Sequence, residues 1–191
     1  ALNPNGWLVF LGPSGCGKTH LACAIANYCL NSGQSVFYIG VADLVDHLRL
    51  AFSPASDTAY DELFNQVKNV FLLVLDDLAV ESATPWAKEK LEQLLNHRFN
   101  ARLATVITTD VPLEKIDERL RGHFADDEFC QVYEIEQRPS LNYRDSLQLE
   151  LLRSMTFDNF DHKRVDLPSE QRQNMRQAFQ LANLAMSKQF E

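Results

Sequence analysis

The chain has 191 residues, 46% hydrophobic and 23% charged, with a formal net charge of −8. That is enough chain for one well-buried core and marginal for two; the acidic balance argues against a broadly basic nucleic-acid surface but leaves open a local basic patch or DNA contact within an assembly. No apolar run approaches the roughly 18 residues that cross a bilayer, the start lacks the basic region of a secretory signal, and Cys16, Cys23, Cys29 and Cys130 match no zinc or disulfide spacing, so the expectation is a cytoplasmic protein with no membrane partner.

In chain order, Trp7-Leu8-Val9-Phe10-Leu11 reads as an apolar strand. It runs into Gly12-Pro13-Ser14-Gly15-Cys16-Gly17-Lys18-Thr19, which fits G-x-x-x-x-G-K-[ST]. A helix follows from Lys18 to about Leu30 and stops near Gly33. Residues 35–40 form a second strand, 41–52 a helix with Leu44, Val45 and Leu48 on one face, 53–56 a loop and 60–67 a short helix. Residues 70–75 are apolar on both faces, as in a central strand covered on both sides. Thr84 and Pro85 open a helix as N-cap and first residue, running to about Phe99. Residues 103–109 make another buried strand, 113–120 a short helix and 130–135 the last strand. Alternation of this kind predicts a doubly wound α/β domain with ligands at the carboxyl ends of its strands. The last third differs in character. Residues 155–167 read as a loop carrying Phe157 and Phe160, and Ser169 caps a final helix with apolar residues at helical spacing.

Two constellations carry the chemistry. In the glycine loop, strand–loop–helix context lets successive backbone N–H groups point at one anion, with the positive end of the helix behind them. Lys18 is placed to reach β- and γ-phosphates and the Thr19 hydroxyl to ligate Mg2+. The second is the strand ending in Asp76-Asp77. Asp76 is the expected Mg2+ support, through water, and Asp77 the base that polarises an attacking water. Thr108-Thr109-Asp110 closes a further strand. In a five-stranded sheet of order 5-1-4-3-2 this strand lies between the other two, with Asp110 near the γ-phosphate.

The chain resembles the AAA+ ATPases of the DnaC/IstB-like group, bacterial helicase loaders and transposition helpers. The resemblance rests on residues 12–22 (Gly-Pro-Ser-Gly-Cys-Gly-Lys-Thr-His-Leu-Ala), 73–78 (Leu-Val-Leu-Asp-Asp-Leu), 105–109 (Thr-Val-Ile-Thr-Thr), 118–121 (Glu-Arg-Leu-Arg) and 155–161 (Met-Thr-Phe-Asp-Asn-Phe-Asp). It implies a P-loop NTPase core with a five-stranded parallel sheet flanked by helices, ATP hydrolysis, and ATP and Mg2+ as ligands. Because Asp77 is shorter than a glutamate and reaches less far toward a water, the hydrolysis is expected to be slow in isolation. Gly12 to Thr19, His20 and Phe157 would bind the nucleotide, with Phe157 beside the adenine; Thr19 and Asp76 would serve the metal. Lys18, Asp77, Asp110 and Arg121 would act in catalysis. A replicative helicase is the implied partner, with single-stranded DNA and self-association through the nucleotide interface as further expectations. The alternatives are an IstB-like transposition helper on DNA and a non-hydrolysing nucleotide-binding adaptor.

Three features depart from that pattern. Asp110 stands where the family implies asparagine, adding a carboxylate near a phosphate. His123 falls in the slot of the inter-subunit arginine, with Arg119 and Arg121 nearby. The segment order is also changed, because the 155–161 motif and its helix precede the phosphate loop in the family and come last here. A circular permutation, or segments set out of order, accounts for this. The expected organisation is a core over residues 1–139, a linker over 140–154 and the displaced segment over 155–191 on the same domain, with no helical lid domain.

Overall fold

The computed structural model describes residues 6–51, 57–79, 84–135 and 154–160, together with 173, 176, 179 and 180. Its frame is set by Leu72–Asp76, in which all five residues are buried. A strand apolar on both faces needs neighbours on both edges and cover above and below. The chain supplies these with strands β1 (Trp7–Leu11), β2 (Val36–Gly40), β3 (Leu72–Asp76), β4 (Ala104–Thr109) and β5 (Cys130–Glu134). They form one sheet in the order β2-β3-β4-β1-β5, every pairing parallel. This is the expected 5-1-4-3-2 order.

Helix α1 (Lys18–Asn31) crosses from β1 to β2 on one face. It packs Leu21, Ala22 and Ile25 on Phe10, Val74 and Val106. Helices α2 (Val41–Ala51), α3 (Asp57–Asn69), α4 (Pro85–Asn100) and α5 (Glu118–Phe124) belong to the opposite face. There Leu44, Leu48, Val67, Leu91, Leu94 and Leu120 meet Val9, Leu73, Leu75 and Ile107. The two-residue period of β3 sends Val74 to one core and Leu73 and Leu75 to the other.

Most element boundaries agree with the sequence reading. Thr84 caps α4, its side chain accepting from Ala87 N at 3.3 Å, with Pro85 first in the helix. The exception is the short helix expected over 113–120. It divides into a 3-10 turn at Leu113–Lys115 and α5, because Ile116 is extended and Asp117 starts a new helix as its N-cap. Helix α3 also runs farther than the expected 60–67. Residues 173, 176, 179 and 180 are helical, in line with a final helix. The linker 140–153, the chain ends that a permuted order would join and the region bearing on a lid lie outside the described residues. No helix among the described residues is long and apolar enough to cross a membrane.

Arg98, with no exposed surface, is the polar feature of the core that periodicity does not foresee. Its guanidinium donates to Val67 O (3.2 Å), Lys68 O (3.0 Å), Val70 O (3.0 Å), Ala104 O (2.5 Å) and Thr105 Oγ1 (3.0 Å). The carbonyls of 67 and 68 belong to the last turn of α3, the negative end of its dipole, so a buried cation is stabilised there without a carboxylate. Burial lowers the Arg98 pKa to about 10. Replacing Arg98 by Met leaves several buried carbonyls without donors. The expected loss is about 3 kcal/mol, read as a lower urea midpoint with an unchanged denaturant slope. Arg98→Lys restores only part of it, since an ammonium cannot span that fork.

Candidate nucleotide-binding site

The site forms where β1, β3 and β4 end. β1 passes into the loop 12–17, and Gly12 N donates to Thr109 O at 3.2 Å, tying the loop's start to the end of β4. Gly12 has a φ of 151°, and a Cβ there would sit 2.3 Å from Ile135 O, so no larger residue fits. Gly17 takes the left-handed φ of 102° that turns the loop into α1. α1 starts with no side-chain cap and no acidic residue in its first turn. Its first amides and dipole are thereby left for an anion.

Lys18 is 8% exposed and its ammonium lies back on the loop, donating to Gly12 O at 2.6 Å and Pro13 O at 3.0 Å. Cys16 is buried beside it, and its thiol pKa is raised by desolvation, opposed by the Lys18 charge. One residue on, Thr19 Oγ1 donates to Asp76 Oδ1 at 3.1 Å. Two elements far apart in sequence thus place a hydroxyl and a carboxylate in one crevice, the hard oxygen donors that suit a magnesium ion.

Asp76 is held from both sides of its strand. Thr108 Oγ1 of β4 donates to Oδ1 at 2.6 Å, and the Tyr38 phenol of β2 donates to Oδ2 at 2.5 Å. The Thr108 hydroxyl also accepts from Asp77 N at 2.8 Å. Asp77 has a φ of 59°, unusual for a residue with a Cβ. The turn is fixed by that bond, by Leu78 N donating to Thr108 O at 2.8 Å and by Thr109 Oγ1 donating to Leu78 O at 2.7 Å. It lifts the Asp77 side chain to the surface, where Asp110 is also exposed. The Asp77 pKa is raised by partial burial first, then by the Asp110 and Asp76 charges, with Lys18 opposing.

Residues 154–160 lie against α1 and the loop. Asn27 Nδ2 donates to Met155 O at 2.8 Å. His20 Nε2 meets two acceptors, Thr156 O at 3.0 Å and Asn159 Oδ1 at 2.9 Å, so that nitrogen carries the proton. Phe160 packs edge-on to His20 with centroids 5.2 Å apart, and its Cε2 comes within 3.0 Å of where a Gly17 Cβ would stand. Phe157 instead faces Tyr28, with centroids 6.4 Å apart, and Phe179 at 5.8 Å. Of the two rings, then, Phe160 touches the phosphate loop and Phe157 sits farther along α1.

The residues singled out in α5 lie elsewhere. His123 stacks on Phe99 with centroids 4.2 Å apart and donates to Asn96 Oδ1 at 2.5 Å. It is folded into the Trp7–Phe129 aromatic cluster rather than held outward, and burial lowers its pKa. Arg119 is paired with Glu92. Arg121 is exposed, with a long contact of 3.5 Å to Glu114 O. Sequence reasoning passed over Tyr38, Asn27 and Asn159. Only the alternation of Val36, Tyr38 and Gly40 along one strand hinted that Tyr38 shares a face with the site.

A doubly wound sheet with this loop, this hydroxyl–carboxylate pair and this lysine defines a P-loop nucleotide-binding protein. Comparison with known proteins refines the class: residues 2–129 match the IstB-like ATP binding protein family, and the chain belongs to it. The replicative helicase loader DnaC of Escherichia coli K12 is 34% identical over 118 residues, covering 62% of this chain and 48% of that protein. A putative insertion sequence ATP-binding protein, y4pL of Sinorhizobium fredii, is 36% identical over 106 residues, covering 56% and 42%. The chain spans about half the length of these relatives. Among solved structures, the DnaC helicase loader superposes with a TM-score of 0.56 at 26% identity over 70% of this chain and 80% of that one. The replication initiator DnaA bound to AMPPCP and single-stranded DNA gives 0.60 at 23% identity over 97% and 56%, a likeness of AAA+ fold.

The paired carboxylates make a stability prediction. A carboxyl whose folded pKa is raised binds more protons in the native state, so its contribution to stability falls as pH rises through that window. Asp110→Asn removes one source of the repulsion. Near neutral pH the expected gain is small, on the order of 1–2 °C in Tm for exposed charges. The gain disappears when pH falls below the carboxylate range; paired thermal melts across pH check both directions.

Proposed function

We propose that the chain is the ATP-binding and ATP-hydrolysing core of a DNA replication helicase loader. The observation that carries this reading is the Thr19–Asp76 contact at 3.1 Å beside the buried Lys18. Membership of an ATP-binding family and the similarity to DnaC support it.

On this reading the loop of Gly12, Pro13, Ser14, Gly15, Cys16 and Gly17 wraps the phosphates, with its N–H donors coming from residues other than Pro13, which has none, and Lys18 exchanges the Gly12 and Pro13 carbonyls for β- and γ-phosphate oxygens. The trade is favourable because a charged acceptor replaces two neutral ones. Thr19 and Asp76 hold Mg2+, which when bound neutralises charge developing on the phosphate oxygens. Asp77 takes up the proton of the attacking water. Its raised pKa brings it nearer the working range of a base. Asp110 lies close enough for its charge to act on Asp77 and orients that same water. His20 fixes the 154–160 segment beside the loop, and the adenine lies against its aromatic residues, Phe157 included. The contacts of this segment with α1 support a permuted order in which the last part of the chain completes the nucleotide site. Arg121, exposed on α5, faces the nucleotide of a neighbouring subunit when copies associate. A replicative helicase is the partner, and single-stranded DNA binds the assembled form. The spacing of the four cysteines, which matches no zinc pattern, suits a cytoplasmic setting. The similarity to the insertion-sequence ATP-binding protein favours one second reading, a transposition helper that assembles on DNA.

Lys18→Ala weakens binding of a fluorescent ATP analogue by roughly 10- to 100-fold, the worth of a charge-assisted hydrogen bond. Asp77→Asn keeps that binding and lowers single-turnover hydrolysis about 100-fold or more. Full turnover in both variants would end the ATPase reading. Arg121→Ala leaves nucleotide affinity of the dilute chain intact and removes the rise of specific activity with protein concentration. Pull-down of the replicative helicase with and without ATP separates loader from transposition helper, since only the loader retains the helicase.

A further inference from the structure

The buried carboxylate at the end of β3 is gripped by more than the phosphate loop requires. An ionised carboxylate offers about four acceptor positions. Thr19 and Thr108 occupy two on Asp76 Oδ1, and Tyr38 occupies one on Oδ2. These donors come from different places: Thr19 from α1, Thr108 from β4 on one side of β3, and Tyr38 from β2 on the other. Thr19 is the donor that a metal ion would draw away. What remains is a clamp from the two flanking strands, one hydroxyl on each carboxylate oxygen. Rotation of an aspartate carboxylate about its last bond is otherwise soft, and one donor alone leaves the group free to swing about a single oxygen.

Tyr38 is suited to this by register. Tyr38 pairs with Val74, and Val36, Tyr38, Leu72 and Val74 all belong to the α1-side core. Asp76 lies two residues past Val74, on the same face. The phenol therefore reaches diagonally across one strand spacing to Oδ2. Its ring is half-buried, and its hydroxyl also meets the Cys23 thiol of α1. Burial first, and then the neighbouring carboxylate, push the phenol's pKa upward.

We propose that Tyr38 is a positioning residue for the metal site, holding the plane of the Asp76 carboxylate from Oδ2 so that the position on Oδ1 that Thr19 would give up stays turned toward Thr19 and the metal it would hold. The inference rests on the nucleotide-site reading above. Partners that orient a metal-supporting group commonly contribute 10- to 100-fold in metal affinity, and Tyr38 acts through Asp76 without touching the substrate.

The test measures Mn2+ uptake, by the paramagnetic resonance signal of free Mn2+, with a non-hydrolysable ATP analogue bound to the whole chain. Tyr38→Phe is expected to weaken Mn2+ about 10-fold, while analogue binding in EDTA stays unchanged. In an Asp76→Asn background, adding Tyr38→Phe changes Mn2+ affinity no further, because the group it orients is gone. Unchanged Mn2+ affinity in the single variant overturns the proposal. So does an equal loss in the Asp76→Asn background, or a parallel loss of metal-free analogue binding, either of which marks a packing role. If the unmutated chain with analogue takes up no Mn2+, the nucleotide-site reading itself fails.

Discussion

Everything at the site is referred to one carboxylate, that of Asp76. It is 8% exposed, at the end of a strand with no solvent on either face. A charge in that position is costly unless it is hydrogen-bonded. The protein meets the cost with three hydroxyls from three elements, and in doing so fixes those elements relative to one another. Thr19 ties α1 to β3, Thr108 ties β4 to β3, and Tyr38 ties β2 to β3. The same Thr108 oxygen receives the Asp77 amide. The left-handed turn at Asp77 is stabilised by the network that holds Asp76, so a supporting carboxylate faces inward and the next one outward.

The loop works by the complementary principle. Its donors are backbone amides and its only side-chain charge is Lys18. Where α2 carries Asp43 in its first turn and α5 is capped by Asp117, α1 begins with neither. A helix start with no acidic residue is a local loss of stability. Here it coincides with the close approach of Gly12 to Ile135 O and of Gly17 to Phe160, so the backbone is held by packing while its amides stay available. Lys18 resting on two loop carbonyls gives the ammonium a partner that a phosphate can displace.

Residues 154–160 add a layer that strand and helix patterns do not contain. Asn27 and His20, about two turns apart on α1, capture the backbone of this segment, and Phe160 closes on the glycine that starts the helix. On the other side of the sheet, His123 is consumed by an aromatic cluster with Trp7 and Phe99. That leaves Arg121 as the outward cation among the three candidates of α5, since Arg119 is committed to Glu92.

The architecture and the chemistry-bearing loop were legible in the amino-acid sequence because each rests on short-range physics. A short unbroken apolar run marks a buried strand, glycines at fixed spacing permit a phosphate loop, and Thr84-Pro85 signals a helix start. The Thr19–Asp76 pairing was also foreseeable, because a loop of this kind requires an acidic strand end as its complement. Contacts between residues distant in sequence were left to the tertiary structure. The four carbonyls around Arg98, the Tyr38 clamp on Asp76, Phe160 rather than Phe157 at the loop and the burial of His123 all depend on which strands become neighbours and how far side chains reach across them. Periodicity reports which face a residue is on; only the packed sheet decides whose oxygen lies opposite.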